Sequence, residues 1–137
     1  MHVSLPVEEF TTPDPITATE GMLVDDLWRL MSQNGIRHVP IVRDDQVVGI
    51  VSDRDVRAII GLTAAEKMQV TAADIMSDDL VTVSSSTPLD EVAFLMADKK
   101  VGSVIVTDEN RELYGIFTAT DALNALVELV RKGGAKP

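Results

Sequence analysis

Val24, Leu27, Trp28 and Met31 recur at helical spacing, and so do Leu89, Val92, Ala93 and Met96. Each set predicts a helix of about three turns. Gly35 stands where the first of these helices must end, because glycine closes a helix in the left-handed conformation at little cost. Thr87-Pro88-Leu89-Asp90 opens the second: a hydroxyl cap, a proline in the first turn, then an acid that completes a capping box. Runs rich in Val and Ile follow each helix, as buried strands require. His38–Val42 and Val47–Ser52 predict two strands joined by the polar turn Arg43-Asp44-Asp45-Gln46. Ser103–Thr107 and Leu113–Thr118 predict two more, joined by Asp108–Glu112. A short strand around Ile16-Thr17 or Leu80–Val83 precedes each first helix, and a second helix closes each set, at about Arg54–Ile60 and Thr120–Arg131.

The order β-α-β-β-α therefore occurs twice, and the two occurrences are copies. With the chain slid by 65 residues, Ile16-Thr17 falls on Val81-Thr82, Asp25-Asp26 on Asp90-Glu91, Leu30-Met31 on Leu95-Met96 and Val39 on Val104. After one extra residue in the second turn, Gly49-Ile50 falls on Gly115-Ile116, Ser52 on Thr118 and Asp55 on Asp121. A unit of about fifty residues is too small to hide its apolar face alone. The expected architecture is mixed α/β (α+β): two βαββα repeats packed sheet to sheet about a pseudo-two-fold axis. The boundaries read as repeat 1 over 10–62, a polar linker over 63–73, repeat 2 over 74–132 and a flexible tail over 133–137.

Composition removes several functions. No cysteine is present among the 137 residues, which excludes disulfides, thiolate zinc and a cysteine nucleophile. Two histidines make a histidine metal site improbable, and none is expected. The formal charge of −10 repels nucleic acid and anionic membranes, and the few aromatic rings offer little for base stacking. No apolar run approaches the roughly 20 residues that span a bilayer. Met1–Pro15 is acidic and lacks the features of a signal peptide, so the expected location is cytoplasmic.

The end of each third strand carries the candidate chemistry. Gly49-Ile50-Val51-Ser52-Asp53-Arg54-Asp55 and Gly115-Ile116-Phe117-Thr118-Ala119-Thr120-Asp121 share Gly, two apolar residues, a hydroxyl residue, two variable residues and Asp. The Gly admits a close backbone or ligand. The hydroxyl residue sits where a strand becomes a helix, and free N–H groups there suit an anion such as phosphate. The Asp can accept two hydrogen bonds at once, as a ribose diol offers. Ser52 with Asp55, and Thr118 with Asp121, are equally capping boxes; the two roles are compatible in one residue pair.

The tandem βαββα unit, these Gly-to-Asp endings and the strand Ile36-Arg37-His38-Val39-Pro40-Ile41-Val42 resemble a pair of CBS (cystathionine β-synthase) domains, a Bateman module. The resemblance covers about residues 10–130. It implies a regulatory rather than catalytic module, with no catalytic residues. Such modules bind adenosine-containing ligands in clefts between the repeats: AMP, ADP, ATP, S-adenosylmethionine, sometimes NAD or a dinucleotide. The resemblance implies ribose contacts for Asp55 and Asp121, and phosphate-side hydroxyls for Ser52 and Thr118. It places Thr17 and Thr82 near the base, and Ile36, Val101, Ile50 and Ile116 as apolar walls. Arg37 and His38 match positions that reach phosphate in some relatives, and Ser103 occupies the matching position in the second copy. The resemblance also implies a homodimer, two modules forming a disc.

The copies differ in charge. Arg54 and Arg57, with Arg37 and His38, surround the first motif, whereas Ala119, Thr120, Leu123, Gly102 and Ser103 stand at the second. From Arg37 to Arg57 four Arg balance four Asp, so the −10 lies elsewhere. A nucleotide phosphate should favour this neutral, arginine-bearing patch; alternatively, Arg54 and Arg57 pair with Asp53, Asp44 or Asp45. Two functional readings follow: a sensor of adenosyl ligands acting on an unidentified target protein, or a dimerisation adaptor with vestigial clefts. Paired acids such as Asp25-Asp26 more simply complement a helix dipole, and no Walker loop or nucleophile elbow appears.

Overall fold

The computed structural model describes residues 5–59, 61–63, 66 and 69–134. Ile60, most of the expected linker before position 69 and the last three residues of the expected tail lie outside them. The chain divides into two compact units: Pro15–Leu80, and the residues up to Asp14 together with those from Val81 onward.

The first unit holds a three-stranded sheet in the order β2-β3-β4, with β2 at Ala18–Thr19, β3 at His38–Arg43 and β4 at Gln46–Ser52. Strand β2 runs parallel to β3, and β3 pairs antiparallel with β4. Helices α1 (Val24–Asn34), α2 (Asp53–Arg57) and α3 (Ala72–Ile75) belong to the same unit. Val24, Leu27 and Met31 of α1 cover Val39, Ile41 and Val51 of the sheet and Val56 of α2, all buried. Burial of each such side chain contributes about 1.5–3 kcal/mol. Gly35 ends α1 at φ 62, as the pattern requires. Asp44 and Asp45 turn the β3–β4 hairpin, both with positive φ, the conformation of a two-residue turn that matches strand twist.

The second unit repeats the plan. Its sheet runs β1-β7-β6-β5, with β1 at Thr12–Pro13, β5 at Thr82–Ser84, β6 at Ser103–Thr107 and β7 at Leu113–Thr118. Helix α4 (Leu89–Lys99) packs Leu89, Val92 and Met96 against Val83, Val104, Val106 and Phe117. Helix α5 (Ala119–Gly134) adds Ala125 to this core. It takes up Gly133 and Gly134, two residues of the expected tail, its last turn supported by the Glu128–Lys132 ion pair at 2.7 Å. Each unit thus contains the expected β-α-β-β-α order.

What the repeats alone do not reveal is that their leading segments are exchanged. A 3-10 turn at Val7–Phe10 and strand β1 stand at the head of the first copy in the chain, yet both build the second unit. Val7 is fully buried there; its N–H donates to the Thr87 carbonyl (2.8 Å), and the Leu5 carbonyl accepts from Leu89 N–H (2.6 Å). The same contacts recur 65 residues later in the first unit: Ala72 N–H donates to the Met22 carbonyl (2.8 Å), and Val70 accepts from Val24 N–H (3.1 Å). Thr12 lies beside Ile116 on β7, and Ser77 beside Ile50 on β4. Both glycines mark these crossings. A Cβ at Gly115 would collide with the Thr12 carbonyl and stand 2.8 Å from Thr11 Cγ2, and one at Gly49 would stand 2.7 Å from Met76 Cγ. Phe10–Asp14, read from the sequence with the first copy, therefore sit with the second. Thr71–Ile75, read as linker and start of the second copy, form a capped turn of the first unit.

Three local expectations change. Thr87 does not cap α4: its hydroxyl bonds Ser84 Oγ (3.0 Å), and Pro88 takes the cap position without a side-chain bond. The Leu5 carbonyl serves the helix start instead. Strand β2 begins at Ala18 rather than around Ile16-Thr17. In the second copy Ile105 N–H holds the Val81 carbonyl (2.9 Å), but Pro40 stands at the matching place and has no N–H to give. Helix α2 ends at Arg57, short of the expected Ile60.

Candidate functional site

Strands β4 and β7 each run directly into a helix, and the turn is fastened by backbone. Asp53 N–H donates to the Arg37 carbonyl (2.8 Å), and Ala119 N–H to that of Gly102 (2.9 Å). The register sets His38 across from Ser52, and Ser103 across from Thr118. Both capping boxes form. Ser52 N–H donates to Asp55 Oδ2 (2.8 Å), and Asp55 N–H to Ser52 Oγ (3.2 Å). Thr118 donates to Asp121 Oδ2 through its N–H (2.9 Å) and its hydroxyl (3.0 Å), while Asp121 N–H donates to Thr118 Oγ1 (3.2 Å). Each carboxylate is locked in orientation through Oδ2. Among the described residues Oδ1 of both takes no hydrogen bond, so each half-buried Asp holds out one oxygen for an outside donor.

Strand alternation sorts the other candidates. In the second unit Val83, Val104, Val106 and Phe117 face the helices, so Thr82, Ser103, Ile116 and Thr118 lie on the opposite face. Thr82, Ile105 and Ile116 form one row across three strands. In the first unit His38, Ile50 and Ser52 lie on the corresponding face, with Pro40 beside Ile50. Thr17 is exposed just before β2. The row thus adds Ile105 and Pro40, which sequence reasoning did not single out; the two-residue alternation from Ser103 and from His38 would have found them. Ile36 and Val101 are half-buried and pack against the two helix-side cores, a packing role that residue type alone did not decide.

The charge difference between the copies is real in space. Arg57 reaches Asp53 at 3.5 Å, one of the pairings open at sequence level, but it is 66% exposed, and such pairs contribute about 0–1 kcal/mol. Arg37 and Arg54 are exposed, with no ion pair among the described residues. Around Thr118 and Asp121 the neighbouring Ala119, Thr120 and Gly102 carry no charge. Among the described residues no group of three or more His, Asp or Glu is placed to hold a metal ion. No helix among them is long and apolar enough to cross a membrane.

Two βαββα units, each closing on a hydroxyl–carboxylate box at the end of its last strand, define a tandem-repeat module. A model of the CBS domain matches residues 7–61 and again 72–128, and the chain belongs to this family as a CBS pair. Protein MJ1225 of Methanocaldococcus jannaschii is 31% identical over 127 residues, 85% of this chain and 45% of that protein. An inosine-5′-monophosphate dehydrogenase of Korarchaeum cryptofilum is 34% identical over 83% of this chain but only 23% of its own length. The chain thus spans less than half of either relative. Among solved structures, AcuB of Vibrio cholerae superposes with a TM-score of 0.82 at 28% identity, covering 98% of this chain and all of the other. The CBS pair of protein MJ0100, solved with 5′-methylthioadenosine and S-adenosyl-L-methionine, gives 0.80 at 25% identity, covering 98% and 100%. CBSX2 from Arabidopsis thaliana, solved in complex with AMP, gives 0.76 at 26% identity, covering 90% and 97%.

Proposed function

We propose that this chain is a non-catalytic, cytoplasmic regulatory module that binds adenosine-containing ligands at the ends of β4 and β7. The observation that carries this reading is the doubled hydroxyl–carboxylate box, in which Asp55 and Asp121 each fix one oxygen and offer the other. A ribose diol is a matching donor, and donation to a charged acceptor is worth about 1.5–3 kcal/mol per bond. The complexes of MJ0100 and CBSX2 support adenosyl ligands as the class. Arg37, Arg54 and Arg57 favour a phosphorylated adenylate (AMP, ADP or ATP) beside Ser52 and Asp55. The second site, which has Ala119, Thr120 and Gly102 in place of the arginines, suits a phosphate-free ligand such as S-adenosylmethionine. In this assignment Thr17 and Thr82 lie toward the base, Ile50 and Ile116 supply apolar wall, and His38 and Ser103 flank the hydroxyls. The target protein would respond because the ligand favours one of its arrangements over another.

Calorimetry with AMP, ATP, S-adenosylmethionine and 5′-methylthioadenosine tests this on the full chain. Asp55→Asn should weaken adenylate binding at least tenfold while Asp121→Asn leaves it intact. Unchanged affinity in Asp55→Asn removes that residue from the site.

A second reading, a ligand-free adaptor, is favoured by one observation. Both boxes are complete helix caps, so capping alone accounts for the four residues. The readings separate by thermal shift: a ligand at 100 times its dissociation constant adds about 2.7 kcal/mol of stability. No shift with any of the four ligands selects the adaptor.

A further inference from the structure

Asn34 is the last residue of helix α1, and Gly35 follows it. Of the three asparagines in the sequence it alone precedes a glycine; Asn110 precedes Arg111, and Asn124 precedes Ala125. The pair matters because an asparagine amide is thermally labile, and its loss runs through the next backbone nitrogen. That nitrogen attacks the side-chain carbonyl carbon, and a glycine, with no Cβ in the way, lets it approach most closely. Asn34 is exposed, so water reaches the reacting atoms.

The structure holds both reacting groups in hydrogen bonds. Gly35 N–H, the nucleophile once its proton has left, donates to the Met31 carbonyl. The Asn34 amide nitrogen, the leaving group, donates to the Leu30 carbonyl at 2.8 Å. Ile36 N–H closes the same turn on the Met31 carbonyl at 3.1 Å. Attack requires the first two bonds to break together. Both belong to the last turn of a helix, and such ends open locally at far lower cost than the core. The second copy supplies the contrast. Lys99-Lys100 stand at the matching positions, and Lys100 takes the same left-handed conformation at φ 57: the same helix end, with no amide to lose.

We propose that Asn34 is a site of spontaneous deamidation, gated by the opening of the last turn of α1. Gly35 N bonds to Cγ of Asn34, the Cγ–Nδ2 bond breaks, and ammonia leaves with the Gly35 amide proton. Water then opens the cyclic imide at either carbonyl and leaves aspartate or isoaspartate, so the balance is one water consumed and one ammonia released. Either product removes the donor to the Leu30 carbonyl and sets a carboxylate at the negative end of the helix, where it is disfavoured. Isoaspartate also adds a methylene to the main chain just before Arg37, whose carbonyl holds Asp53 N–H at 2.8 Å. The modification therefore loosens the turn that carries Ser52 and Asp55 and leaves the box of Thr118 and Asp121 as it is. This is independent of the ligand reading.

Peptide mapping by mass spectrometry, on the full chain aged at mildly alkaline pH in buffer and in urea, tests it. Conversion should appear at position 34 in both and run at least tenfold faster in urea. Asn34→Gln, whose longer side chain disfavours ring closure, should stay intact. In the isoaspartyl form, separated by chromatography, the Asp53 amide should exchange with solvent at least tenfold faster than in the unaged chain. The matching Ala119 amide of the second unit should exchange at its original rate. An Asn34 that never converts in the folded chain, equal rates in buffer and urea, or unaltered protection of the Asp53 amide would each overturn the proposal.

Discussion

Replacing Gly115 by alanine tests the packing of the leading segment against the second repeat. The added methyl would press into the Thr12 carbonyl and lie 2.8 Å from Thr11 Cγ2 and 3.1 Å from the Thr12 carbonyl carbon. Two of these atoms are backbone of a strand laddered onto β7, so they yield only if β1 moves. Overpacking of this kind costs about 1–3 kcal/mol. Alanine recovers about 0.4–1 kcal/mol through the less free unfolded chain, leaving a net loss of about 1–2 kcal/mol. That corresponds to a fall in Tm of roughly 3–8 °C for a domain of this size. Gly49→Ala is the internal control. There the methyl meets Met76, with Cγ at 2.7 Å and Cβ at 3.1 Å, and an unbranched thioether can rotate away. Its net effect should be about 0–1 kcal/mol. Thermal unfolding gives the ordering, and amide exchange gives the location. Asp14 N–H, held by the Tyr114 carbonyl at 3.1 Å, should lose protection in Gly115→Ala alone. A Gly115→Ala protein as stable as the wild type, with the Asp14 amide still protected, would refute the reasoning.

Two further effects on stability follow from the caps. Asp121→Ala removes the acceptor of two Thr118 donors and should cost about 1 kcal/mol; the urea midpoint should fall with the slope unchanged, and an unaltered midpoint contradicts the cap. Lys100 closes α4 with φ 57 where Gly35 closes α1 with φ 62, so substitutions there should have opposite signs. Lys100→Gly should gain about 0.5 kcal/mol and Gly35→Ala lose about 1 kcal/mol, read as Tm shifts in opposite directions; equal signs would refute the conformational account.

The elements legible in the sequence are those whose signal is local. The Val24/Leu27/Met31 and Leu89/Val92/Met96 stripes, the Val/Ile strands and both Ser/Thr-x-x-Asp boxes stand in the structure where the pattern sets them. The exchange of leading segments was not legible, because nothing near Thr12 in the chain specifies Ile116 as its neighbour. The 65-residue offset does extend to these segments, pairing Val7 with Ala72 and Thr11 with Met76, but such unlike residues do not announce a repeat. Thr87 failed as a cap for the same reason: the Leu5 carbonyl that replaces it arrives from far along the chain. For the candidate site, the sequence named the carboxylates and hydroxyls. Only coordinates show that Oδ2 is spent on the backbone and Oδ1 is not.

The crossing of the leading segments has a consequence for how such a chain can be divided or can arise. Cut at the midpoint of the duplication, each fragment would keep a leading segment that packs in the other unit and lack the one that packs in its own. A single copy of the pattern on its own chain would therefore be complete only as a pair of separate chains lending these segments to each other.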